Sequence, residues 1–379
     1  MECFQMNQIN IDTIKDQLLK SCIVNGGIGS LKEIEEMGVI EFGKRAKLYM
    51  PTKLYKYYSN LDTMLPDGST VNYSQQALIN NTVYMQTPTA FDDVYDSDIS
   101  IDHGEYERLR VMEYCRRCGI DVKENWTNQE AGDALVKALW PFYLEKALEK
   151  AFIVAPANEL ERLSNRNFCL TILVKCQSAD NFGRAVSDAI TEEFQKYSEH
   201  LQTVFRTACF ATSPYSQLMW GGSYADQHRG FCVEYTVCPQ DKVYENIYLQ
   251  LFPMIYCKTR PDVTAKLVQA KDKEPTDELL WDIYFHGALR KSIDWAYQNE
   301  WRLLLPLGKN SSDYNVTFFP ITKVFLGNRM TAQNRKIIID ICKRRNIPYV
   351  GVKRNPKLFE MQDCEVLCEN CSNFLNIHK

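Results

Sequence analysis

The stretch LMWGGSYADQHRGFCVEY, residues 218–235, carries the strongest structural signal in this chain of 379 residues. Glycines flank its cluster of Trp, Tyr, His and Arg side chains, and glycine lets a backbone turn tightly or approach a ligand closely. The alternating residues Phe231–Tyr235 predict a strand that holds this loop. Loops held by a rigid element commonly carry binding residues, so we interpret this one as a binding surface. The alternative is a turn whose Trp220 and Tyr224 anchor the core.

The composition is that of an ordinary globular protein, with 45% hydrophobic and 24% charged residues. A formal net charge of −4 argues against a general nucleic-acid binder, because such proteins are usually basic. Residues 1–7 lack the features of a secretory signal, and no apolar run approaches the roughly 18 residues of a membrane-spanning helix. Fourteen cysteines in such a chain indicate reduced thiols, so we expect a cytoplasmic protein without a membrane segment.

Hydrophobic periodicity predicts an α+β fold with a mixed or antiparallel sheet and a large helical insertion. The predicted parts are a helical segment at 1–49, an α+β core at 50–102 and 206–355, a helical insertion at 103–205, and a C-terminal tail at 356–379. Within the insertion, Val186, Ile190 and Phe194 have helical spacing. Within the core, apolar residues over 276–298 predict one helix.

Carboxylates are concentrated after the second predicted core strand, at Asp92, Asp93, Asp96 and Asp98. Hard oxygen ligands at this density can bind Mg²⁺ or Ca²⁺, which would suit a metal-dependent nuclease or phosphohydrolase that uses Asp93 and Asp96. Asp side chains also stabilise loops and helix starts by accepting bonds from main-chain N–H groups. We favour this second interpretation and expect no bound metal here.

Cysteines at 364, 368 and 371 are spaced closely enough to bind Zn²⁺, with His378 available as a fourth ligand. We favour unliganded thiols at Cys364, Cys368 and Cys371 over a zinc site.

The tripeptide Glu300-Trp301-Arg302 opens an apolar predicted strand. A Glu at the start of a strand can point into a cleft, where it polarises a hydroxyl group or acts as a base. The alternative is that Glu300 and Arg302 form a pair that closes a sheet edge.

Four short motifs follow one another along the chain: Leu54–Tyr57, then Phe91, Asp93 and Asp96 of an Asp-rich motif, then Met219, Trp220, Tyr224, Ala225, His228, Gly230 and Phe231, and finally Glu300–Arg302. In this order the four motifs resemble those of the DUF2971 family, which is mainly microbial. The family name itself carries no activity.

The order of these motifs is also similar to that of ADP-ribosyltransferase folds, which have an aromatic-rich first strand and a late strand that begins with Glu. This resemblance implies NAD as a co-substrate, Glu300 as the catalytic residue and Tyr224 as the residue that stacks on nicotinamide. The position that holds a ribose corresponds to Lys56 or Tyr57, where those enzymes carry His or Arg. The full predicted cofactor-binding set is Tyr55, Lys56, Tyr57, Trp220, Tyr224, His228 and Arg229, with Asp93, Asp96 and Arg302 as structural or substrate-loop residues.

The resemblance predicts an NAD-dependent transferase that modifies a protein or nucleic-acid target, in phage defence or toxin biology, where such folds recur. Two other functions stay open at this point. One is a non-catalytic module that senses a nucleotide or binds a partner protein, and the other is the metal-dependent nuclease or phosphohydrolase.

Overall fold

A computed structural model describes residues 23–24, 31–117, 119–127, 129–134, 136–137, 188–192, 194–196, 199, 202–203, 205–272, 277–306 and 314–364. Of the predicted helical segment at 1–49, the structure describes residues 23–24 and 31–49. Val186 of the predicted insertion helix lies outside the described ranges. None of the helices in the described ranges is long and apolar enough to cross a membrane.

The described chain combines short strands and helices, which confirms the predicted α+β class. The strands are β1 (Ile23–Val24), β2 (Lys53–Tyr58), β3 (Thr63–Met64), β4 (Thr70–Val71), β5 (Thr82–Met85), β6 (Phe205–Phe210), β7 (Phe231–Thr236), β8 (Leu251–Pro253), β9 (Ile255–Cys257), β10 (Arg290–Ser292), β11 (Trp301–Pro306), β12 (Tyr314–Thr317), β13 (Ile321–Leu326), β14 (Tyr349–Arg354) and β15 (Met361–Asp363). The α-helices with described bounds are α1 (Leu31–Glu36), α2 (Val39–Leu48), α3 (Tyr73–Asn80), α4 (His103–Arg117), α5 (Gln217–Gly221), α6 (Glu245–Leu249), α7 (Thr264–Asp272), α8 (Asp277–Ala288) and α9 (Ala332–Arg344). Short 3-10 helices cover Pro88–Ala90, Ser223–Ala225, Lys242–Tyr244 and Ile293–Gln298.

The chain divides into two compact units. The first comprises Met1–Ser97, Gln202–Arg260 and Ala288–Lys379, and the second comprises Asp98–Leu201 and Pro261–Gly287. In the second unit, α4 packs against α7 through a buried apolar cluster that includes Tyr106, Met112 and Leu267. Asp102 Oδ1 accepts a hydrogen bond of 2.9 Å from the main-chain N–H of Glu105, so this carboxylate stabilises the start of α4.

Two sheets form the framework of the first unit. One has the strand order β15-β14-β13-β7-β2, in which β13 and β14 are parallel and the other neighbours antiparallel. The other is antiparallel, with the order β6-β11-β8. Strand β7 is buried on both faces: Phe231, Val233 and Tyr235 face one apolar cluster, and Cys232 faces another.

Strand β6 meets β2 and β5 at single points rather than along their lengths. Tyr55 of β2 exchanges two main-chain hydrogen bonds of 2.9 and 2.7 Å with Ala211, and Gln86, just after β5, exchanges two with Thr207. Strands β2 and β5 therefore diverge from the edge of β6 over residues 208–210. Because main-chain bonding directions alternate along a strand, Cys209 directs its N–H and C=O toward the same opening as Thr207 and Ala211.

The loop before β7 is held in an unusual backbone conformation. Asp226, Gln227 and His228 have φ angles of 46°, 52° and 71°, so three successive non-glycine residues adopt the left-handed region. Gly230 ends this turn where the chain lies directly against β2: a Cβ atom at this position would be 1.9 Å from the carbonyl oxygen of Tyr58. Gly230 is therefore required by close approach of two backbones.

Replacing Gly230 with alanine is expected to lower the free energy of unfolding by about 1–3 kcal/mol or more, because a backbone carbonyl cannot move aside as a flexible side chain can. Urea unfolding monitored by tryptophan fluorescence measures the change. Gly221→Ala in the same loop is the matched control, since its Cβ would be 3.9 Å from the nearest atom, Nε2 of His228. Equal effects of the two substitutions would contradict this explanation.

Candidate functional site

A cavity of about 810 Å³ lies in the first unit, where β2 and β5 diverge from β6. Its volume is within the usual range of small-molecule sites, about 300–1,000 Å³. Strands β2, β5 and β6 contribute to its wall, together with α3, residues 90–93, and the 3-10 helices Ser223–Ala225 and Ile293–Gln298. Aromatic side chains are frequent on this wall, namely Tyr55, Tyr57, Tyr58, Tyr73, Tyr84, Phe91, Phe210, Tyr224 and Trp295.

The structure brings six of the predicted site residues to this cavity. Those on the wall are Tyr55, Lys56, Tyr57, Asp93, Tyr224 and Glu300. Those placed elsewhere are Asp96, Trp220, His228, Arg229 and Arg302. Glu300 and Tyr224, which are widely separated in sequence from β2, thus line the same space as Lys56 and Tyr57.

Trp220 belongs to the core and not to the cavity wall. Its side chain is completely buried, its Nε1 donates a hydrogen bond of 2.7 Å to the carbonyl oxygen of Pro214, and Tyr57 packs edge-on against it at 5.3 Å between ring centroids. A residue enclosed in this way cannot contact a cofactor, which corrects the prediction for Trp220. The alternative interpretation, a core anchor for the loop, describes it better.

His228 and Arg229 also stabilise the loop. The His228 ring stacks on Trp220 at 6.3 Å, and burial together with the nearby Arg329 holds its pKa below the usual value. Arg229 forms a two-pronged ion pair with Asp226, at 2.8 Å from Nε and 2.7 Å from Nη2, with 49% of its side chain exposed. Neither side chain lies on the cavity wall, so the structure does not support their predicted contact with a cofactor.

Arg302 lies at the centre of a buried group of charges. Its Nη1 and Nη2 donate to the two carboxylate oxygens of Asp96 at 2.7 and 2.8 Å, and its Nε donates to Glu300 Oε1 at 2.8 Å. Lys291 Nζ lies 3.3 Å from Glu300 Oε2 and 3.4 Å from Asp96 Oδ2. We call Asp96, Lys291, Glu300 and Arg302 the charge cluster. It contains two cations and two anions, so their formal charges balance.

Arg302 and Glu300 form the pair that the alternative interpretation expected, but this pair does not lie at a sheet edge. Strand β11 is the central strand between β6 and β8, and the Arg302 side chain is completely buried. The guanidinium needs partners there because an unpaired buried charge is costly. Asp96 supplies one, which explains how the acidic loop after β5 is joined to a strand far along the chain.

The carboxyl group of Glu300 is ionised at neutral pH. Burial alone would raise its pKa, but the positive charges of Arg302 and Lys291 outweigh this effect and lower the pKa to about 2. Such a group is a weak base. It can accept a hydrogen bond from a hydroxyl group or stabilise a developing positive charge in the cavity.

Lys291 and Gln298 are wall residues that the sequence analysis did not select. Gln298 Oε1 accepts from Lys291 Nζ at 3.1 Å, and Gln298 Nε2 donates to the Tyr224 hydroxyl at 2.5 Å. The two side chains therefore connect the predicted stacking residue to the charge cluster. Lys291 and Gln298 were missed because the sequence predicted one helix over 276–298. In the structure, α8 ends at Ala288 and Lys291 lies on β10.

Lys56 is the remaining cation on the wall. Its Nζ donates to the carbonyl oxygen of Cys209 at 3.3 Å and lies above the rings of Tyr58 and Phe210, at 5.9 and 5.5 Å from their centroids. Burial lowers its pKa. Among the described residues no carboxylate forms an ion pair with Lys56, and an anionic ligand at Nζ would favour its charged form.

The stability of the fold should depend on pH through Glu300. Its pKa falls from 4.5 to about 2 on folding, so its stabilising effect is complete above about pH 4.5 and is lost as the pH falls toward 2. Urea unfolding of the wild type and of Glu300→Gln should therefore differ most at neutral pH and converge on acidification. A difference that stays constant from pH 7 to pH 3 would contradict this assignment.

Residues 219–303 match the DUF2971 family model, described as a protein of unknown function. This confirms the predicted resemblance for the part of the chain that holds the third and fourth motifs. The DUF2971 segment contributes Tyr224, Lys291, Gln298 and Glu300 to the cavity wall, whereas Lys56 lies outside it. No curated protein and no solved structure gives a significant match to the chain.

Within the described ranges, no group of three or more His, Cys, Asp and Glu side chains could hold a metal ion. Asp96 gives both carboxylate oxygens to Arg302, so it is not available as a metal ligand beside Asp93. Cys368, Cys371 and His378 lie outside the described residues, so their predicted alternatives stay open.

Proposed function

We propose that the cavity binds NAD and that the protein transfers its ADP-ribosyl group to a protein or nucleic-acid target, as ADP-ribosyltransferases do. One observation carries the proposal: the predicted catalytic Glu300, the predicted stacking residue Tyr224 and the first-strand residues Lys56 and Tyr57 line one cavity. These are the residues that the resemblance to ADP-ribosyltransferases implies for catalysis, stacking and ribose binding.

The wall residues suit the chemical parts of NAD. The cavity volume of about 810 Å³ is sufficient for a dinucleotide. Aromatic rings such as Tyr224 offer stacking surfaces, Lys56 offers a positive charge for a diphosphate, and carboxylates offer acceptors for ribose hydroxyls. Lys56 replaces the His or Arg expected at its position and is likewise a basic residue.

In the proposed reaction, Glu300 stabilises positive charge at the ribose C1′ atom while the bond from C1′ to the nicotinamide nitrogen breaks. The electron pair of that bond passes to the nicotinamide nitrogen, which thereby loses its positive charge. A nucleophile on the target donates the electron pair of the new bond to C1′ and releases its proton to solvent. Preorganised electrostatic interactions of this type are typically worth about 3–4 kcal/mol.

The second candidate function is nucleotide sensing without catalysis. It is favoured by the charge cluster, because both carboxylate oxygens of Glu300 already have cationic partners in Arg302 and Lys291. A carboxylate neutralised in this way stabilises less positive charge on a ligand than a free one. The cavity would then recognise a nucleotide and leave it intact.

The setting of the proposed activity is the cytoplasm. The described cysteines, including the buried Cys115, Cys232 and Cys342, are free thiols, which suits a reducing compartment. A role in phage defence belongs to the same proposal and rests on the similarity to transferase folds alone.

The deciding experiment uses NAD labelled in its adenylate phosphate, incubated with purified protein and cell lysate. Transfer predicts label on a protein or nucleic-acid band together with release of free nicotinamide. NAD labelled in the nicotinamide ring is the control, because its label should leave with nicotinamide and never reach a target. Binding of NAD without nicotinamide release would support the sensing function instead.

A further inference from the structure

One carboxylate on the cavity wall has an oxygen that accepts no hydrogen bond from any described protein group. Asp93 is 9% exposed, and its Oδ1 accepts a hydrogen bond of 3.0 Å from the main-chain N–H of Tyr95. Its Oδ2 is buried and has no hydrogen-bond donor among the described residues. The turn at 93–95 needs one carboxylate oxygen as a hydrogen-bond acceptor, and Oδ1 supplies it. Oδ2 accepts no hydrogen bond that holds this turn.

The other carboxylates on the wall differ from Asp93 in this respect. Asp92 is exposed, and its Oδ2 accepts from the Ser223 hydroxyl at 3.2 Å. Glu300 has Arg302 at one oxygen and Lys291 at the other. Asp93 is therefore the buried wall carboxylate with acceptor capacity left for a ligand.

Two further groups on the wall complement Asp93. Thr207 on β6 is completely buried, and its hydroxyl also has no hydrogen-bond partner among the described residues. Lys56 Nζ donates to the carbonyl oxygen of Cys209 and has no carboxylate partner among the described residues. A buried polar atom without a hydrogen-bond partner costs about 1–3 kcal/mol, so Asp93 Oδ2 and the Thr207 hydroxyl weaken the free protein unless a ligand satisfies them.

We infer that Asp93 determines ligand specificity in this cavity, by accepting hydrogen bonds from the hydroxyl groups of a phosphorylated nucleoside whose phosphate lies at Lys56. This inference extends the proposed function and rests on it, because the proposed function is the reason for using NAD and related nucleotides as probes. It gives Asp93, which the sequence analysis treated as a loop or substrate-loop residue, a direct contact with ligand. It does not require that the ligand react.

Asp93→Asn is the informative substitution, because the amide oxygen can still accept from Tyr95 N–H while the amide nitrogen replaces the free acceptor with a donor. Asp92→Asn is the matched control, since it removes the same charge from the same wall at an exposed, partnered position. Isothermal titration with NAD, ADP-ribose, ATP and GTP measures affinity, and thermal unfolding without ligand measures stability.

For Asp93→Asn we expect the Kd of each nucleotide that binds the wild type to rise about tenfold or more, and the apparent Tm of the free protein to rise by about 2 °C or more. Asp92→Asn should leave the Kd within about twofold. An unchanged Kd in Asp93→Asn overturns the inference. A weakened Kd accompanied by a lower Tm also overturns it, because Asp93 would then act by holding the loop.

Lys56→Met tests the orientation of the ligand. It should weaken binding of ADP-ribose about tenfold or more, since a charge-assisted contact is lost, and leave binding of adenosine within about twofold. Equal losses of affinity for ADP-ribose and adenosine would show that the phosphate does not lie at Lys56 and would overturn that part of the inference.

These results separate the inference from the proposed function. Binding of NAD that depends on Asp93, without nicotinamide release, leaves the inference standing and overturns the transferase. Nicotinamide release with a KM unaffected by Asp93→Asn supports the transferase and overturns the inference. If none of the four nucleotides binds the wild type, both are overturned.

Discussion

Replacing Arg302 with methionine is expected to lower the free energy of unfolding by about 3–5 kcal/mol, because it leaves the buried carboxylates of Asp96 and Glu300 with Lys291 as their one cation. Domains are typically stable by only about 5–15 kcal/mol, so this change should shift the urea midpoint strongly or abolish soluble expression. Methionine fills a similar volume, so the loss of charge and not a cavity dominates the effect.

Arg229→Met is the matched control for this prediction. Arg229 pairs with Asp226 in the same two-pronged geometry, at 2.8 and 2.7 Å, but 49% of its side chain is exposed, whereas Arg302 is completely buried. Exposed ion pairs contribute about 0–1 kcal/mol, so its loss should be small. Adding Asp96→Asn to Arg302→Met leaves one cation and one anion in the cluster and should recover part of the stability. Equal losses for Arg302→Met and Arg229→Met would contradict the role of burial.

Glu300→Gln is expected to reduce ADP-ribosyl transfer roughly a hundredfold or more, because it removes the charge that would stabilise the reacting ribose. The charge cluster adds an expectation that the sequence analysis did not contain: the substitution leaves two buried cations with one anion, so stability should fall as well. Nicotinamide release and thermal unfolding measured on the same sample separate the two effects, provided the assay temperature stays below the Tm of the variant.

Two further variants carry Lys291→Met, one of them together with Glu300→Gln. The double variant Glu300→Gln with Lys291→Met restores the balance of one cation and one anion, so it should be more stable than Glu300→Gln and equally inactive. Lys291→Met alone keeps Glu300 paired with Arg302 and should retain most of the transfer activity. If the double variant recovers activity together with stability, the catalytic role of Glu300 fails and the sensing function replaces it.

Local sequence patterns were sufficient to predict many secondary-structure elements. The alternating residues after Gly230 predicted β7, and the apolar run after Glu300 predicted β11. These patterns succeed because strand and helix periodicities are properties of a chain segment and its immediate neighbours. The prediction over 276–298 failed for the same reason: β10 exists because it pairs with β9, which no local pattern encodes.

For the candidate site, the sequence alone determined which chemical groups are present: carboxylates at Asp93, Asp96 and Glu300, a first-strand Lys56, and a Gly-flanked aromatic loop. Only the tertiary structure decided their neighbours. It buried Trp220, placed Arg302 on a central strand with Asp96, brought Lys291 to Glu300, and left Asp93 Oδ2 without a hydrogen-bond partner in the described part of the chain. The physical reason is that burial and pairing depend on contacts between distant segments, here the meeting of β2, β5 and β6, whereas residue type is local. The same carboxylate can therefore neutralise an arginine, as Asp96 does, or remain free for a ligand, as we infer for Asp93.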